Sequence, residues 1–172
     1  MKTQFCLFFI TTVLLASQAR GDGLAMNQWG AVTNGVQMSI ALDGGDREIK
    51  TNDQVQLLVQ IKNIGSLIAR SSLILGRNTD PGSGLRCVVI SPSGKDISPT
   101  AHSYGPSGAI LNLSPGQGDS FTFDLGRICK FDEVGNYKIT AQKIVYTDDG
   151  KNITRSWTVV SNPLLVKVVP AK

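Results

Sequence analysis

Apolar and polar residues alternate with a period of two along most of the chain after residue 35. The clearest case is residues 54–62, in which Val55, Leu57, Val59 and Ile61 are separated mainly by glutamine. A period of two places neighbouring side chains on opposite faces of a β-strand, so one face meets a core and the other meets water. No segment shows the 3.6-residue period of an amphipathic helix. The other predicted strands are residues 36–42, 67–75, 85–90, 109–113, 120–125, 137–146, 153–159 and 164–168.

Turn-forming residues separate these segments. Asp148, Asp149 and Gly150 give the strongest hairpin signal, and Pro115-Gly116 predicts another turn. Two longer segments, residues 76–84 and 91–108, have the composition of loops. About seven to nine short strands without helices between them predict an all-β protein, an immunoglobulin-like antiparallel β-sandwich, with a closed barrel as the alternative.

The amino terminus has the pattern of a cleavable signal peptide. Lys2 precedes an apolar run over residues 5–16, and Ser17 and Ala19 place small residues three and one before a cut after residue 19. The run is shorter than the roughly 20 apolar residues of a transmembrane helix, although a retained anchor helix is the alternative. We therefore expect a signal peptide at residues 1–19 and one mature domain at residues 20–172. We also expect secretion or a periplasmic location, with no membrane span after signal removal.

Composition and charge narrow the range of partners. The chain has 172 residues, of which 41% are hydrophobic and 17% are charged, values typical of one globular domain. Its formal net charge is +4. The basic residues form no run and are not interleaved with aromatic residues, so we expect no binding of nucleic acid.

Two cysteines remain once Cys6 leaves with the signal peptide. Cys87 and Cys129 are an even pair in a chain predicted to be exported, which favours a disulfide bond, with two separate buried thiols as the alternative. Closing a loop of about 43 residues would stabilise the fold by roughly 4 kcal/mol. Two cysteines and the single histidine, His102, are too few for a zinc site, so we expect no metal and no cofactor.

The sequence holds no convincing catalytic constellation. Ser103 follows His102, but neighbours in sequence do not place a nucleophile within hydrogen-bonding reach of a base. The aspartate pairs at residues 43 and 46 and at residues 148 and 149 lie in predicted turns, where aspartate bonds its own backbone. We therefore expect no enzyme activity, while calcium binding at a loop stays an open alternative.

Two acceptor sequences for N-glycosylation are present, Asn112-Leu113-Ser114 and Asn152-Ile153-Thr154. Asn152 follows the predicted hairpin turn and should be accessible, whereas Asn112 lies at the end of a predicted strand. Both matter only in a host whose secretory pathway glycosylates proteins.

Several short motifs resemble exported bacterial immunoglobulin-like modules. In the second half these are Leu113-Ser114-Pro115-Gly116, residues 121–125 and the Gly-x-Tyr of residues 135–137, and in the first half residues 29–37 and 52–63 are similar to the same sandwich type. The resemblance spans residues 29–169. It implies a corner-type hydrogen bond from Tyr137 and a module without activity of its own. A weaker similarity is to the intracellular proteinase inhibitor family, which shares the sandwich and the Gly-x-Tyr strand.

The resemblance also bears on the two cysteines. Antibody-type domains carry a strand cysteine two residues after this tyrosine, a position that Ile139 occupies here. Cys87 and Cys129 are therefore not assumed to form the usual bridge between sheets. We expect Cys129 to tie the connection before Gly135 to the strand that carries Cys87.

These observations predict a non-catalytic interaction or structural module that binds a protein or an extracellular polymer through residues 76–84 and 91–108. His102 and Tyr104 are the expected contact residues. The alternative is a secreted proteinase inhibitor that inserts one of these loops into a protease cleft. A further possibility is assembly, in which residues 164–169 add to a sheet edge of another chain.

Overall fold

Ten β-strands and one 3-10 helix occur in the computed structural model, which describes residues 28–45, 48–72, 85–99, 110–148 and 153–171. The predicted signal peptide lies outside these ranges. In chain order the elements are β1 (Val36–Leu42), β2 (Glu48–Lys50), β3 (Gln56–Asn63), β4 (Ile68–Ser72), β5 (Leu85–Ile90), β6 (Ile110–Leu113), β7 (Gly118–Asp124), the 3-10 helix η1 (Leu125–Arg127), β8 (Gly135–Asp148), β9 (Ile153–Val160) and β10 (Leu164–Val169).

Strands form where the alternation is strongest. In β3 the apolar residues Leu57, Val59 and Ile61 are fully buried, while Gln56 and Lys62 are exposed. Burial of one face removes apolar surface from water, which is the main favourable contribution to folding. The two faces of this strand therefore fix its orientation between core and solvent.

Strand β8 organises the larger sheet. One edge of β8 pairs with β10 over residues 135–139 and with β9 over residues 142–148. The opposite edge pairs with β5 over residues 138–143 and with β4 over residues 146–148. Outside these, β6 pairs with β4 and β2 pairs with β10. The smaller sheet is antiparallel, in the order β1-β3-β7.

The two sheets enclose one hydrophobic core. Met38 of β1, Leu57 of β3, Ile139 of β8 and Val166 of β10 are all fully buried members of the same cluster. The sheets adjoin beside β1, where the side-chain oxygen of Asn162 accepts a hydrogen bond of 3.0 Å from the backbone N–H of Ile40.

The predicted class of fold, an antiparallel β-sandwich, is confirmed. The described residues hold ten strands rather than seven to nine. Strand β2 was missed because it has only three residues, of which Glu48 and Lys50 are charged, and therefore carries no alternation signal. Strand β2 pairs in parallel with β10 and covers that edge of the last strand along residues 167–169.

Tyr137 confirms the expected corner-type hydrogen bond. Its hydroxyl accepts a hydrogen bond of 2.9 Å from the backbone N–H of Glu133, and its ring meets Phe131 edge to face at 4.9 Å. The side chain is fully buried. The bond satisfies a backbone donor in the connection that leads into β8, which fixes where the longest strand begins.

Candidate functional site

Strands β4 and β5 occupy one strand position that is interrupted in the middle. Both run antiparallel to the same edge of β8, β4 beside residues 146–148 and β5 beside residues 138–143. Residues 73–84 connect them and lie outside the described residues. This connection therefore leaves and re-enters the sheet beside residues 143–146 of β8 rather than at an end of the sandwich.

The neighbouring strand position is interrupted at the same level. Residues 96–98 run along the outer edge of β5, where the backbone N–H of Ile97 donates to the carbonyl of Val89 at 2.9 Å. Strand β6 runs along the outer edge of β4, with Ile110 opposite Ser72. Residues 100–109 connect these two pieces. The two connections thus start and finish at adjoining points of the sheet. We call this part of the sheet, beside residues 143–146 of β8, the insertion level.

The described residues that flank the two predicted binding loops lie at the insertion level. Residues 76–84 belong to the first connection, and His102 and Tyr104 belong to the second, so these predicted contact residues lie outside the described residues. Only the first part of the predicted loop at residues 91–108 lies within the described residues. There the chain forms a turn at residues 91–95 and then adds a strand-like segment to β5.

Local hydrogen bonds explain why residues 91–98 are ordered. Asp96 accepts hydrogen bonds from the backbone N–H and the hydroxyl of Ser98, and these bonds lower the pKa of the Asp96 carboxyl. The hydroxyl of Ser98 also accepts a bond of 2.9 Å from the backbone N–H of Val89. Ser93 reaches Glu133 through its backbone N–H and its hydroxyl, at 3.2 and 3.1 Å. The turn is therefore joined both to β5 and to the connection before β8.

Lys143 lies inside the sandwich at the insertion level. It is 1% exposed, it pairs in register with Leu85 and Val159, and its Nζ lies 5.9 Å from the centroid of the Phe121 ring. Burial lowers the pKa of its amine from 10.5 to about 8. Lys143 is not among the functional residues predicted from the sequence. The phase of the alternation could have found it, because Ala141, Lys143 and Val145 share the inward face of β8.

The predicted disulfide is not formed in the structure. Cys87 and Cys129 are both buried free thiols in the hydrophobic core. The thiol of Cys129 instead donates a hydrogen bond of 3.2 Å to the carbonyl of Ile97, so it contacts the segment that flanks β5 rather than bonding to Cys87. Burial raises the pKa of Cys87 to about 12 and that of Cys129 to about 11, which disfavours the reactive thiolate.

The predicted glycosylation sites differ in what the structure shows of them. Asn112 is exposed on β6, where it lies opposite Arg70 of β4. Asn152 lies outside the described residues. Within the described ranges, no three His, Cys, Asp or Glu side chains group closely enough to hold a metal ion. A search of the same ranges found no helix with the length and apolar character of a membrane span.

The sequence matches no protein-family model and no curated protein. Several solved structures are similar. One is the Northeast Structural Genomics Consortium target SoR45, at 12% identity and a TM-score of 0.51 over 80% of this chain and 90% of that chain. Others are the C-terminal domain of wzt, at 11% identity and 0.46 over 84% and 78%, and the ApaA protein from Bordetella pertussis, at 11% and 0.44 over 83% and 96%.

The likeness to SoR45 shows the fold alone. The chain is a β-sandwich similar to immunoglobulin-like domains, which supports the fold part of the resemblance seen in the motifs. The comparisons identify neither the exported modules nor the proteinase inhibitor family.

Lys143 predicts a pH dependence of stability. Its pKa in the folded protein, about 8, lies below the ordinary value of 10.5, so between these pH values the unfolded chain binds more protons. The free energy of unfolding therefore rises with pH across this window, by about 3 kcal/mol. Replacing Lys143→Met should flatten this rise and stabilise the protein at pH 7 by about 2 kcal/mol, as measured by urea unfolding from pH 7 to 10.5.

Lys138→Met is the matched control, because Lys138 is exposed on the opposite face of the same strand. It should leave both the stability and its slope with pH unchanged. An equal slope in the Lys143→Met protein and the wild type would show that Lys143 is not the titrating group.

The cysteines give a second prediction. Both thiols are buried and have raised pKa values, so the native protein should react slowly with Ellman's reagent. After unfolding in guanidinium, a chain that starts at residue 20 should present two thiols that react with the reagent. If Cys87 and Cys129 form a disulfide, no thiol reacts until a reductant is added.

Proposed function

We propose that this chain is an exported, non-catalytic β-sandwich module that binds a protein or an extracellular polymer through residues 73–84 and 100–109. The observation that carries the proposal is the insertion level, at which two long connections leave neighbouring strand positions side by side. Binding residues are found disproportionately on loops that a rigid scaffold positions.

The sheet beneath the insertion level is a firm support. Strand β8 continues past the interruptions and pairs with β4 on one side of them and with β5 on the other. Its inward residues Ile139, Ala141 and Val145 are almost fully buried. A rigid base lowers the entropy that the connections lose when they bind, which favours affinity.

The residues of the second connection suit contact with a partner. Tyr104 combines a large apolar ring with a hydroxyl, and tyrosine is enriched among residues that dominate binding energies. His102 adds a group whose charge changes near neutral pH. The signal-like residues 1–19 support an exported location, secreted or periplasmic.

A proteinase inhibitor is the second candidate. Residues 73–84 are anchored at both ends by strands that pair with β8, which is the kind of support that holds a loop in an extended form inside a protease cleft. The weaker resemblance to the intracellular proteinase inhibitor family points the same way. The predicted export signal does not fit this family, because the family's name describes an intracellular location.

The binding proposal predicts a loss of capture when the second connection is removed. Immobilised residues 20–172 should retain a specific protein or polymer from the medium or envelope of the producing cells, read by mass spectrometry and glycan analysis. A variant in which Gly/Ser residues replace residues 100–109 should retain at least about tenfold less, because the contact residues are gone.

The control replaces residues 43–45, Asp-Gly-Gly, by Gly/Ser in the turn that follows β1, which changes one side chain outside both connections. It should capture as the wild type does. Equal capture by all three proteins, or capture of nothing, would contradict binding through the insertion level.

The inhibitor alternative predicts stoichiometric loss of protease activity. Trypsin, chymotrypsin and subtilisin are each titrated with residues 20–172, with the variant lacking residues 73–84, and with the control changed at residues 43–45. Inhibition by the wild type and the control alone would support this candidate. Rapid cleavage of the wild type without inhibition would exclude it for these proteases.

A further inference from the structure

Strand β9 is a long edge strand of the larger sheet. It pairs with β8 along one edge, and within the described ranges no strand pairs with its other edge over residues 153–159. The open part ends at Val160, where Gly30 packs so closely that a Cβ on Gly30 would lie 2.1 Å from the Val160 carbonyl oxygen. We call the open side of residues 153–159 the β9 edge.

The backbone groups that β9 leaves unpaired follow from its register on β8. The N–H and carbonyl of Ala141 both point toward this strand position, because they bond to the hydroxyl and the N–H of Ser161 at 2.9 and 2.8 Å. Since backbone groups alternate between the two edges of a strand, the odd-numbered residues of β9 bond to β8. Thr154, Ser156 and Thr158 therefore direct their N–H and carbonyl groups away from the sheet.

The other outer edges of the described sheets are short or protected. On β7, a side-chain oxygen of Asp119 accepts a hydrogen bond of 2.8 Å from the backbone N–H of Ser120. On β1, the carbonyl of Met38 accepts a hydrogen bond of 2.8 Å from the N–H of Gly30. Strands β2 and β6 have only three and four residues. Short strands, charged side chains and covering segments are the devices that prevent sheets from pairing edge to edge.

The β9 edge carries none of these devices. Its strand has eight residues, Ile153–Val160, with Arg155 as the single charged residue and with no proline or glycine. Residues with β-branched or aromatic side chains, which favour strands, occupy most of the other positions. A long edge with so little charge is a template for pairing with another strand.

A second copy of the β9 edge matches the first in one antiparallel register. Unpaired groups must meet unpaired groups, so an even-numbered residue lies opposite an even-numbered residue of the second copy. A two-fold axis at Ser156 forms about six hydrogen bonds, whereas an axis at Trp157 forms about four, because Gly30 already covers Val160. An axis at Arg155 sets two arginines directly opposite each other, which is destabilising.

We propose that two copies of this chain associate through the β9 edge, antiparallel and centred on Ser156, so that their larger sheets become one continuous sheet. Thr154 then lies opposite Thr158 of the second copy, and Arg155 lies opposite Trp157, two pairings without like charges. The insertion level lies along the other edge of β8 and stays outside this interface. The association therefore does not depend on what the insertion level binds.

Analytical ultracentrifugation of residues 20–172, a range that contains every described residue, tests the association. The wild type should change from monomer to dimer between about 1 and about 500 µM, the range in which small interfaces dissociate. Ser156→Lys should raise the dissociation constant at least about tenfold at low salt, because it sets two ammonium groups opposite each other at the axis.

Thr122→Lys is the matched control for this substitution, because Thr122 is also exposed on an edge strand, β7 of the smaller sheet. It should dimerise as the wild type does.

A cysteine at the axis tests the register. The axis places the Cα atoms of two Ser156→Cys chains about 5.5 Å apart, a separation that a disulfide bond spans. Oxidation by air with copper phenanthroline should therefore link these chains into a covalent dimer. Thr158→Cys is the matched control, because Thr158 lies opposite Thr154, and it should link at least about tenfold more slowly. The wild type should not link, because Cys87 and Cys129 are buried.

Four results would overturn the proposal. They are a monomer throughout the concentration range, an unchanged dimer in the Ser156→Lys protein, an equal loss of dimer in the Thr122→Lys protein, and linking of Thr158→Cys as fast as that of Ser156→Cys. The first leaves a strand of a different protein as the occupant of the β9 edge. The third assigns the dimer to both edge strands rather than to β9.

Discussion

The pairing of β8 on both edges is the constraint on which the rest of the structure depends. This strand of 14 residues contacts β4, β5, β9 and β10 and thereby joins most of the larger sheet. Its inward side chains form the centre of the core, and Tyr137 fixes its beginning. A strand paired on both edges has its backbone groups satisfied, so it tolerates interruptions in its neighbours.

The sheet stays intact where two connections interrupt it. Residues 73–84 and 100–109 interrupt two adjoining strand positions, yet the flanking pieces keep their register on β8 and on each other. The entropic cost of closing such a connection grows only slowly with its length. The same sheet therefore carries both connections without loss of its core.

Two buried polar side chains, Asn63 and Lys143, have different effects on this fold. Asn63 is almost fully buried but makes several hydrogen bonds, so its desolvation is offset and it joins the turns at residues 63–67 and 114–117. Lys143 is equally buried, and there the cost appears as a lowered pKa of its amine. The first group specifies shape, whereas the second makes stability depend on pH.

The sequence by itself determined the strands other than β2, the faces they bury and the class of fold, because a period of two records the side of each residue in a half-buried strand. It also determined the hydrogen bond of Tyr137, through the Gly-x-Tyr motif. Only the tertiary structure decided that β2 pairs with β10, that two connections leave at one level, and that Cys87 and Cys129 stay unbonded. The physical reason is that periodicity describes one strand at a time. Partners, register and the approach of two thiols depend on contacts between residues far apart in the chain, which no local pattern encodes.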